Sequence, residues 1–188
     1  MKGRRFLNAA IQQRTARGAV SASATRGPRS GGVAEAARQF LGGMRLTTFG
    51  TRDPRAFKRG LDHSTRQLKD ALPKQGTSWG LSRKILNIFL RDCFYTTYLD
   101  KAYGLRAAEG LFEIPLDSIT AKQIRQRTPE LPRWPGVRKL IQKVSSEYQD
   151  AALRVAKQDY GVARVHLDAY WYGARNQQGS RHGALRVV

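Results

Sequence analysis

The chain has 188 residues, with 34 lysines and arginines against 14 aspartates and glutamates, and this formal net charge of +20 predicts a polyanionic partner. The single cysteine, Cys93, excludes an internal disulfide and any cluster that needs four thiolates, and its apolar surroundings predict a buried side chain. No apolar stretch is long enough to cross a bilayer and the first residues lack a secretory signal, so we expect the protein inside the cell. Charge alone leaves a generic basic protein, or an anionic membrane surface as the partner, open.

The first 32 residues differ from the rest of the chain. They carry seven basic residues and no acidic one, with Ser, Ala, Gly and Thr between them. This composition predicts a disordered or weakly helical basic arm that adds nonspecific affinity for phosphates. An organellar transit peptide has a similar composition, so an organelle is the alternative to a prokaryotic cytoplasm, where the protein would associate with the nucleoid. The tail over residues 176–188 is predicted to be mobile and basic.

From residue 33 to residue 175 the apolar residues recur at helical intervals, which predicts one compact all-α domain. Asp53 and Pro54 mark the start of a helix that ends at Pro73, and its buried face is predicted to consist of Phe57, Leu61, Leu68 and Leu72. Further helices are predicted over residues 33–41, 82–91, 118–127, 136–160 and 163–174. The aromatic residues expected to close the core are Phe94, Tyr95, Tyr98 and Tyr103.

A short connection that contains glycine joins two of these helices. Residues 74–91 therefore predict a helix-hairpin-helix. Backbone amides at a tight turn, followed by a helix N-terminus, form a site for a phosphate and read no base sequence. The residues expected to contact nucleic acid here are Gly76, Thr77, Ser78, Trp79, Gly80, Ser82 and Arg83.

Lys84 lies in the first turn of the second predicted helix. The helix dipole there disfavours an ammonium ion, which makes it easier for the amine to lose its proton and act as a nucleophile. A simple phosphate contact is the plainer role for this lysine. Downstream, Asp117 precedes another predicted helix, where an N-cap is the structural alternative to a chemical role.

Residues 80–90 run Gly-Leu-Ser-Arg-Lys-Ile-Leu-Asn-Ile-Phe-Leu, and residues 114–118 run Ile-Pro-Leu-Asp-Ser. Together they resemble the helix-hairpin-helix superfamily of base-excision DNA glycosylases, which includes endonuclease III-like and 8-oxoguanine-type enzymes. The first segment resembles the family's hairpin glycine, its Arg-Lys pair and the apolar helix that follows. The second resembles the family's box of apolar, small and apolar residues before Asp and Thr or Ser. The resemblance covers residues 74–125.

This resemblance implies a DNA glycosylase that acts on double-stranded DNA and can cleave abasic sites as an AP lyase. Lys84 would attack C1′ of the sugar and form a Schiff base, while Asp117 would assist proton transfer and stabilise the cationic sugar. The chain departs from the family at Ser82, which replaces the second hairpin glycine, and it has no cysteine cluster for an iron–sulfur centre. The spacing between Lys84 and Asp117 is nearer to that of the archaeal 8-oxoguanine branch than to that of endonuclease III-like members.

Chemistry on a base within a duplex requires the base to leave the stack and to be held by aromatic or apolar side chains. The candidates for this work are Trp79 beside the hairpin and, near the C-terminus, Tyr170, Trp171 and Tyr172, of which Tyr170 and Trp171 are assigned to the base pocket. Ordinary packing in a small helical core is the plainer alternative for each of these aromatic residues.

The three histidines do not form a metal-ligand pattern. His63, His166 and His182 are far apart in the sequence and no cysteine or paired carboxylate accompanies them at zinc spacing, so neither a metal nor a cofactor is predicted. Because His166 and Asp168 are two residues apart on a predicted helix, they point to different faces, which argues against a joint acid–base role.

Two functions follow from these observations. The first is a DNA glycosylase with AP-lyase activity that uses Lys84 and Asp117. The second is a noncatalytic helical protein that holds DNA or RNA through the hairpin and its basic surface. The first requires that Lys84 and Asp117 converge on one cleft with room for a base, whereas diverging side chains favour the second.

Overall fold

The computed structural model of the chain describes residues 2–20, 32–74 and 78–172. These residues form helices joined by short connections, without a β-strand among them, so the predicted all-α class is confirmed. The α-helices are α1 (Lys2–Ala19), α2 (Val33–Gly43), α3 (Pro54–Ala71), α4 (Trp79–Tyr95), α5 (Thr97–Tyr103), α6 (Ser118–Arg127) and α7 (Gln142–Val155). Short 3₁₀ segments cover Leu46–Phe49, Leu105–Leu111, Val137–Lys139 and Arg164–His166, a π-helical turn covers Ala156–Tyr160, and residues 167–172 are helical.

The apolar residues are buried in two clusters. The larger one is formed by α1 to α5 and the segment Leu105–Leu111, with Phe49, Phe89 and Phe112 among its fully buried side chains. The smaller one is formed by α6, α7 and the residues that follow α7, around the buried ring of Tyr148. The chain passes from the first cluster to the second in an extended segment over residues 112–117, and this crossing brings the end of that segment beside α4.

The beginning of α3 follows from its sequence. Asp53 is the N-cap and its carboxylate accepts a hydrogen bond from the Arg55 amide at 2.8 Å, while Pro54 occupies the first helical position. The four apolar residues predicted for its inner face are all buried, as Phe57, Leu61, Leu68 and Leu72. Local capping and apolar spacing therefore determine this helix.

At the N-terminus, where the sequence predicts a disordered or weakly helical arm, the structure has a helix. Residues 2–19 form α1, whose buried face consists of Gln12, Ala16 and Ala19. The Gln12 amide donates to the carbonyls of Leu41 and Met44, at 2.9 and 2.8 Å, and so satisfies groups at the C-terminal end of α2. Small side chains allow the close approach of α1 but give a weak apolar pattern in the sequence. The predicted mobile tail over residues 176–188 lies outside the described residues.

The second helix of the predicted helix-hairpin-helix begins earlier than expected. Ser78 is the N-cap of α4, with its hydroxyl oxygen accepting from the Leu81 amide at 3.1 Å, so the helix begins at Trp79 instead of Ser82. Gly80 therefore lies inside the helix and not in a turn. The turn residues Gly76 and Thr77 lie outside the described residues.

The single helix predicted over residues 136–160 is also broken. A 3₁₀ turn over Val137–Lys139 is followed by Ile141 in an extended conformation, and α7 begins only after it. Ile141 is exposed, although the helical pattern placed it in the core. Of the aromatic residues expected to close the core, Phe94 is buried, but Tyr95 at the end of α4 and Tyr98 are 45% and 60% exposed.

Among the described helices, none combines the length and the apolar character needed to cross a membrane.

Candidate functional site

A cleft of about 920 Å³ opens where α4 meets the chain segments around the second apolar cluster. Its walls come from five parts of the described chain: the end of α1, one face of α4, residues 115–119 around the start of α6, residues 134–137 and residues 168–172. Five α4 residues line it, and four of them recur at intervals of three and four and so share one helix face, with Asp92 beside them: Lys84, Ile88, Arg91 and Tyr95. The volume falls in the range of pockets that take small organic ligands.

Lys84 and Asp117 converge at one end of this cleft. The Lys84 ammonium nitrogen Nζ lies 3.7 Å from Asp117 Oδ2, and the two side chains are 14% and 32% exposed. The pair is thus within ion-pair distance and still open to a ligand. Because α4 begins at Trp79, Lys84 lies in the second turn and not in the first, where the helix dipole acts most strongly. The charge of Asp117 therefore acts on Lys84 more strongly than the helix dipole does.

Asp117 caps a helix and faces Lys84 with different oxygen atoms. Its Oδ1 accepts from the amides of Ile119 and Thr120 at 2.9 and 3.0 Å, and the Thr120 hydroxyl accepts from the Asp117 amide at 2.8 Å. This is a complete capping box at the start of α6. The cap fixes the carboxylate, which leaves Oδ2 directed toward Lys84. The structural role and the chemical role proposed for Asp117 are therefore compatible.

The extended segment before Asp117 is held by side chains, because it has no neighbouring strand to satisfy its backbone. The Gln149 side-chain amide bonds both the amide and the carbonyl of Ile114, at 3.1 and 2.8 Å. The Arg164 guanidinium donates to the carbonyls of Leu111 and Phe112 at 3.2 and 3.0 Å. These bonds satisfy buried backbone groups and fix the path that leads to Asp117.

A second cluster of charges lies directly behind Lys84. Arg83 is 4% exposed and bonds Glu113 through two nitrogens, at 2.8 and 2.9 Å, and its third nitrogen donates to Asp62 and Thr65, both at 2.9 Å. Asn87 also donates to Glu113, at 3.0 Å. Burial alone would raise the pKa of the Glu113 carboxyl, but the adjacent Arg83 outweighs it and lowers that pKa below its usual value. The cluster ties α4 to the segment that carries Asp117.

The other end of the cleft is also polar. Arg91 lies between two carboxylates, bonding Asp92 at 2.8 Å and forming a close ion pair with Asp168. Burial disfavours the charge on Arg91, but the two carboxylates more than offset it and raise its pKa. Burial also raises the pKa of Asp92, against the influence of Arg91. This end of the cleft therefore offers both signs of charge.

The structure separates the other predicted contact residues from the cleft. Ser82 and Arg83 are buried, and the Arg83 guanidinium is held by carboxylates, so neither presents a polar group to a phosphate. A Cβ on Gly80 would lie 2.2 Å from the Val137 carbonyl oxygen, so the absence of a side chain at Gly80 allows close packing. Ser78 serves as an N-cap, and Trp79 is covered by the Arg83 guanidinium, 5.3 Å from its ring centroid.

The aromatic residues predicted for a base pocket lie elsewhere. Trp171 is buried in the second apolar cluster and its indole N–H donates to the Tyr160 hydroxyl at 3.0 Å. Tyr170 is half-exposed beside Tyr160, with ring centroids 5.3 Å apart. Neither lines the cleft, whereas Tyr172 and Trp134 do. Of the three C-terminal aromatic residues considered from the sequence, Tyr172 is therefore the one that lines the cleft, one turn after Asp168.

Sequence reasoning missed most of the far end of the cleft. Arg91 and Tyr95 follow Lys84 at helical intervals on the same face, so the periodicity of α4 carried a usable signal. His166 and Asp168 do have separate partners: His166 bonds Glu109 and Tyr95, and Asp168 bonds Arg91. These partners come from distant parts of the sequence and only the fold unites them.

No group of three or more His, Cys, Asp or Glu side chains suited to a metal ion occurs within residues 2–20, 32–74 and 78–172. Comparison with known proteins gives no match: no family model, no curated protein and no solved structure is significantly similar to this chain. The resemblance to helix-hairpin-helix glycosylases therefore stays a prediction.

Proposed function

We propose that this protein is a DNA-repair glycosylase with AP-lyase activity, in which Lys84 is the nucleophile and Asp117 its acid–base partner. The observation that carries the proposal is the convergence of the two side chains, 3.7 Å apart, at the end of a cleft of about 920 Å³. A nucleophile and a base within reach of each other, next to space for a reacting group, are what covalent catalysis requires.

The reaction begins when Asp117 takes a proton from the Lys84 ammonium group, and the neutral amine then attacks C1′ of the sugar. The bond from C1′ to the base breaks as the bond from nitrogen to C1′ forms, and the base leaves with its electron pair and takes up the proton from Asp117. Asp117 accepts the proton that the attacking nitrogen loses, and its carboxylate balances the positive charge that develops on the sugar. The ring oxygen takes up a proton from Asp117 as the sugar ring opens to a Schiff base, loss of a C2′ proton to water expels the 3′ phosphate, and hydrolysis of the Schiff base releases the lysine.

The charge of the protein supports a nucleic acid as the ligand of this cleft. A net charge of +20 attracts a polyanion and favours release of counterions when phosphates are bound. Arg133 and Lys139 are exposed on either side of the cleft-lining residues 134–137. We assign these two side chains to the DNA backbone, in place of the buried residues around Arg83.

The proposal is tested with a duplex that carries one abasic site, incubated with the full chain. Strand cleavage by elimination is expected for the wild type and is expected to disappear in Lys84→Gln, because glutamine cannot form a Schiff base. Lys122→Gln is the matched control, since Lys122 is an exposed lysine of α6 that does not line the cleft. A panel of duplexes with single damaged bases then identifies the base removed.

Binding is measured in parallel, to distinguish an enzyme from a noncatalytic nucleic-acid-binding protein. Affinity that falls steeply with salt but is equal in wild type and Lys84→Gln, without any cleavage, contradicts the proposal and favours the binding protein. Each of the substitutions Arg133→Gln and Lys139→Gln is expected to remove one phosphate contact. The slope of the logarithm of the binding constant against the logarithm of the salt concentration should therefore fall in magnitude by about one.

A further inference from the structure

Three side chains form a hydrogen-bonded chain that begins in the cleft. The Tyr95 hydroxyl lies 2.8 Å from Nδ1 of His166, and Nε2 of His166 lies 2.8 Å from Oε1 of Glu109. Tyr95 lines the cleft on the same face of α4 as Lys84. The roles assigned above to Lys84 and Asp117 do not use this chain.

The carboxylate at one end fixes the direction of these hydrogen bonds. An ionised Glu109 can only accept, so the hydrogen of a neutral His166 ring lies on Nε2. Nδ1 then carries a lone pair, and the Tyr95 hydroxyl must donate its hydrogen to it. With that hydrogen committed, the Tyr95 oxygen has only lone pairs left for a ligand.

The surroundings keep Tyr95 protonated. Partial burial raises the pKa of the Tyr95 hydroxyl, and the carboxylates of Asp168, Asp92 and Glu109 act in the same direction, against the opposing charge of Arg91. The His166 ring lies nearly parallel to the Tyr95 ring, at 11° and 5.7 Å between centroids, and is tilted by 49° to the Phe94 ring at a centroid distance of 5.8 Å. Of the three side chains, His166 is the one that can hold a proton on one ring nitrogen or on both.

Protonation of His166 reverses the first hydrogen bond. Both ring nitrogens of an imidazolium donate, so Nδ1–H would donate to the Tyr95 oxygen and Nε2–H would still donate to Glu109. The Tyr95 hydrogen is then released and can point into the cleft. The same phenol therefore presents an acceptor when His166 is neutral and a donor when His166 is charged.

We propose that Tyr95 is a specificity-determining residue of the cleft, and that His166, held by Glu109, sets whether it accepts a hydrogen bond from the ligand or donates one. The inference rests on the proposed function only in that the cleft receives a nucleobase. Tyr95 lies eleven residues after Lys84, about 16 Å along the axis of α4. It is therefore placed to contact the ligand far from the reacting carbon.

The test uses two duplexes that differ in one unpaired base, adenine or 6-methoxypurine. Both bases have a ring nitrogen that accepts, but the exocyclic group is an amino donor in the first and an ether acceptor in the second. Dissociation constants of the full chain are measured by fluorescence anisotropy at about pH 8 and about pH 5, on either side of the range in which histidine changes charge. Nitrogen-15 spectra report the tautomer of His166, assigned by its absence in His166→Gln.

The wild type is expected to prefer adenine at the higher pH by about threefold to tenfold, the effect of one hydrogen bond, and to lose or reverse this preference at the lower pH. Tyr95→Phe should abolish the pH-dependent change, and Glu109→Gln should weaken it, because an amide no longer fixes the tautomer. His63→Gln, a change of an exposed histidine on α3, should leave it intact.

A preference that is independent of pH, an equal change in Tyr95→Phe, or a hydrogen on Nδ1 of the neutral ring would each overturn the inference. None of these results affects cleavage at an abasic site, which depends on Lys84. Conversely, a pH-dependent preference without cleavage would leave the role of Tyr95 standing and remove the proposed enzyme activity.

Discussion

Arg83 and Lys84 are consecutive basic residues of α4 with opposite surroundings. Arg83 points into the protein, where Glu113, Asp62 and Thr65 accept four hydrogen bonds from it. Lys84 points into the cleft, and its nitrogen lies 3.7 Å from one oxygen of Asp117. The acidic partners of the two, Glu113 and Asp117, are four residues apart on one segment. The same two chain segments thus meet twice, once in a closed network and once in an open pair.

The difference in surroundings gives Arg83 a structural role and Lys84 a chemical one. A buried arginine with its donors satisfied holds two segments together but has no capacity left for a ligand. A lysine with one carboxylate beside it, on the wall of a cleft, keeps both a nucleophile and a proton acceptor available. The buried network around Arg83 fixes the distance between Lys84 and Asp117. Substitutions in the network should therefore reduce stability, whereas substitutions of Lys84 or Asp117 should reduce activity.

The largest expected effect is on stability, from Arg83→Met. This change leaves the largely buried Glu113 carboxylate without its arginine partner, while Asp62 keeps its contact with Lys58, and it costs about 3–5 kcal/mol in the free energy of unfolding. Lys84→Met breaks only a partly exposed pair and should cost less than about 1 kcal/mol. Urea unfolding of the two variants measures both values, and equal losses would remove the distinction between the two sites.

The next effect is on activity, from Asp117→Asn. Asparagine caps a helix about as well as aspartate, so the free energy of unfolding should change little. Cleavage at an abasic site should fall by about 100-fold or more, because the proton acceptor beside Lys84 is lost. Asp53→Asn, at the N-cap of α3, is the control that should alter neither quantity. Full activity in Asp117→Asn would show that Asp117 acts only as the N-cap of α6.

A smaller loss of stability is expected from Gly80→Ala. The added methyl group would meet the Val137 carbonyl oxygen at 2.2 Å and the Leu140 Cβ at 2.6 Å, so the cleft wall over residues 134–137 must move, at a cost of about 1–3 kcal/mol. Gly43→Ala at the end of α2, where nothing lies within 4 Å, should not destabilise the protein. Thermal unfolding checks both, and an unshifted midpoint for Gly80→Ala would contradict the close packing.

The smallest effect is the dependence of stability on pH. The folded-state pKa of Glu113 lies below its unfolded value, so its contribution is complete above about pH 4.3 and is lost as the pH falls through the folded value. Glu113→Gln should therefore be less stable at neutral pH and lose less on acidification than the wild type. Thermal unfolding between about pH 6 and about pH 3 tests this, with the exposed Glu35→Gln as the control, which should follow the wild type.

The sequence predicted what depends on local patterns. The cap of α3, its four inner apolar residues and the all-α class follow from residues close together in the chain. The cap at Asp117 and a basic residue at Lys84 were recognisable for the same reason. Their meeting could be predicted only through resemblance to a family, since nothing local links two positions 33 residues apart.

What the sequence did not predict depends on distant partners. Arg83 was predicted to contact a phosphate because its actual partners, Asp62 and Glu113, come from distant segments of the sequence. The packing of α1 on the core was not predicted, because alanines and Gln12 form its inner face and these residues give a weak apolar pattern. Tyr95 was assigned to the core because its partner His166 lies 71 residues away.

The central claim is that Lys84 acts as an amine nucleophile, and borohydride trapping on an abasic-site duplex tests it most directly. We predict a covalent complex of protein and DNA in the wild type, with the reduced adduct mapped by mass spectrometry to the peptide that contains Lys84. The adduct should be absent in Lys84→Gln and present in Lys122→Gln. Equal binding of the duplex by all three proteins without any adduct, or an adduct that persists in Lys84→Gln, would contradict the account.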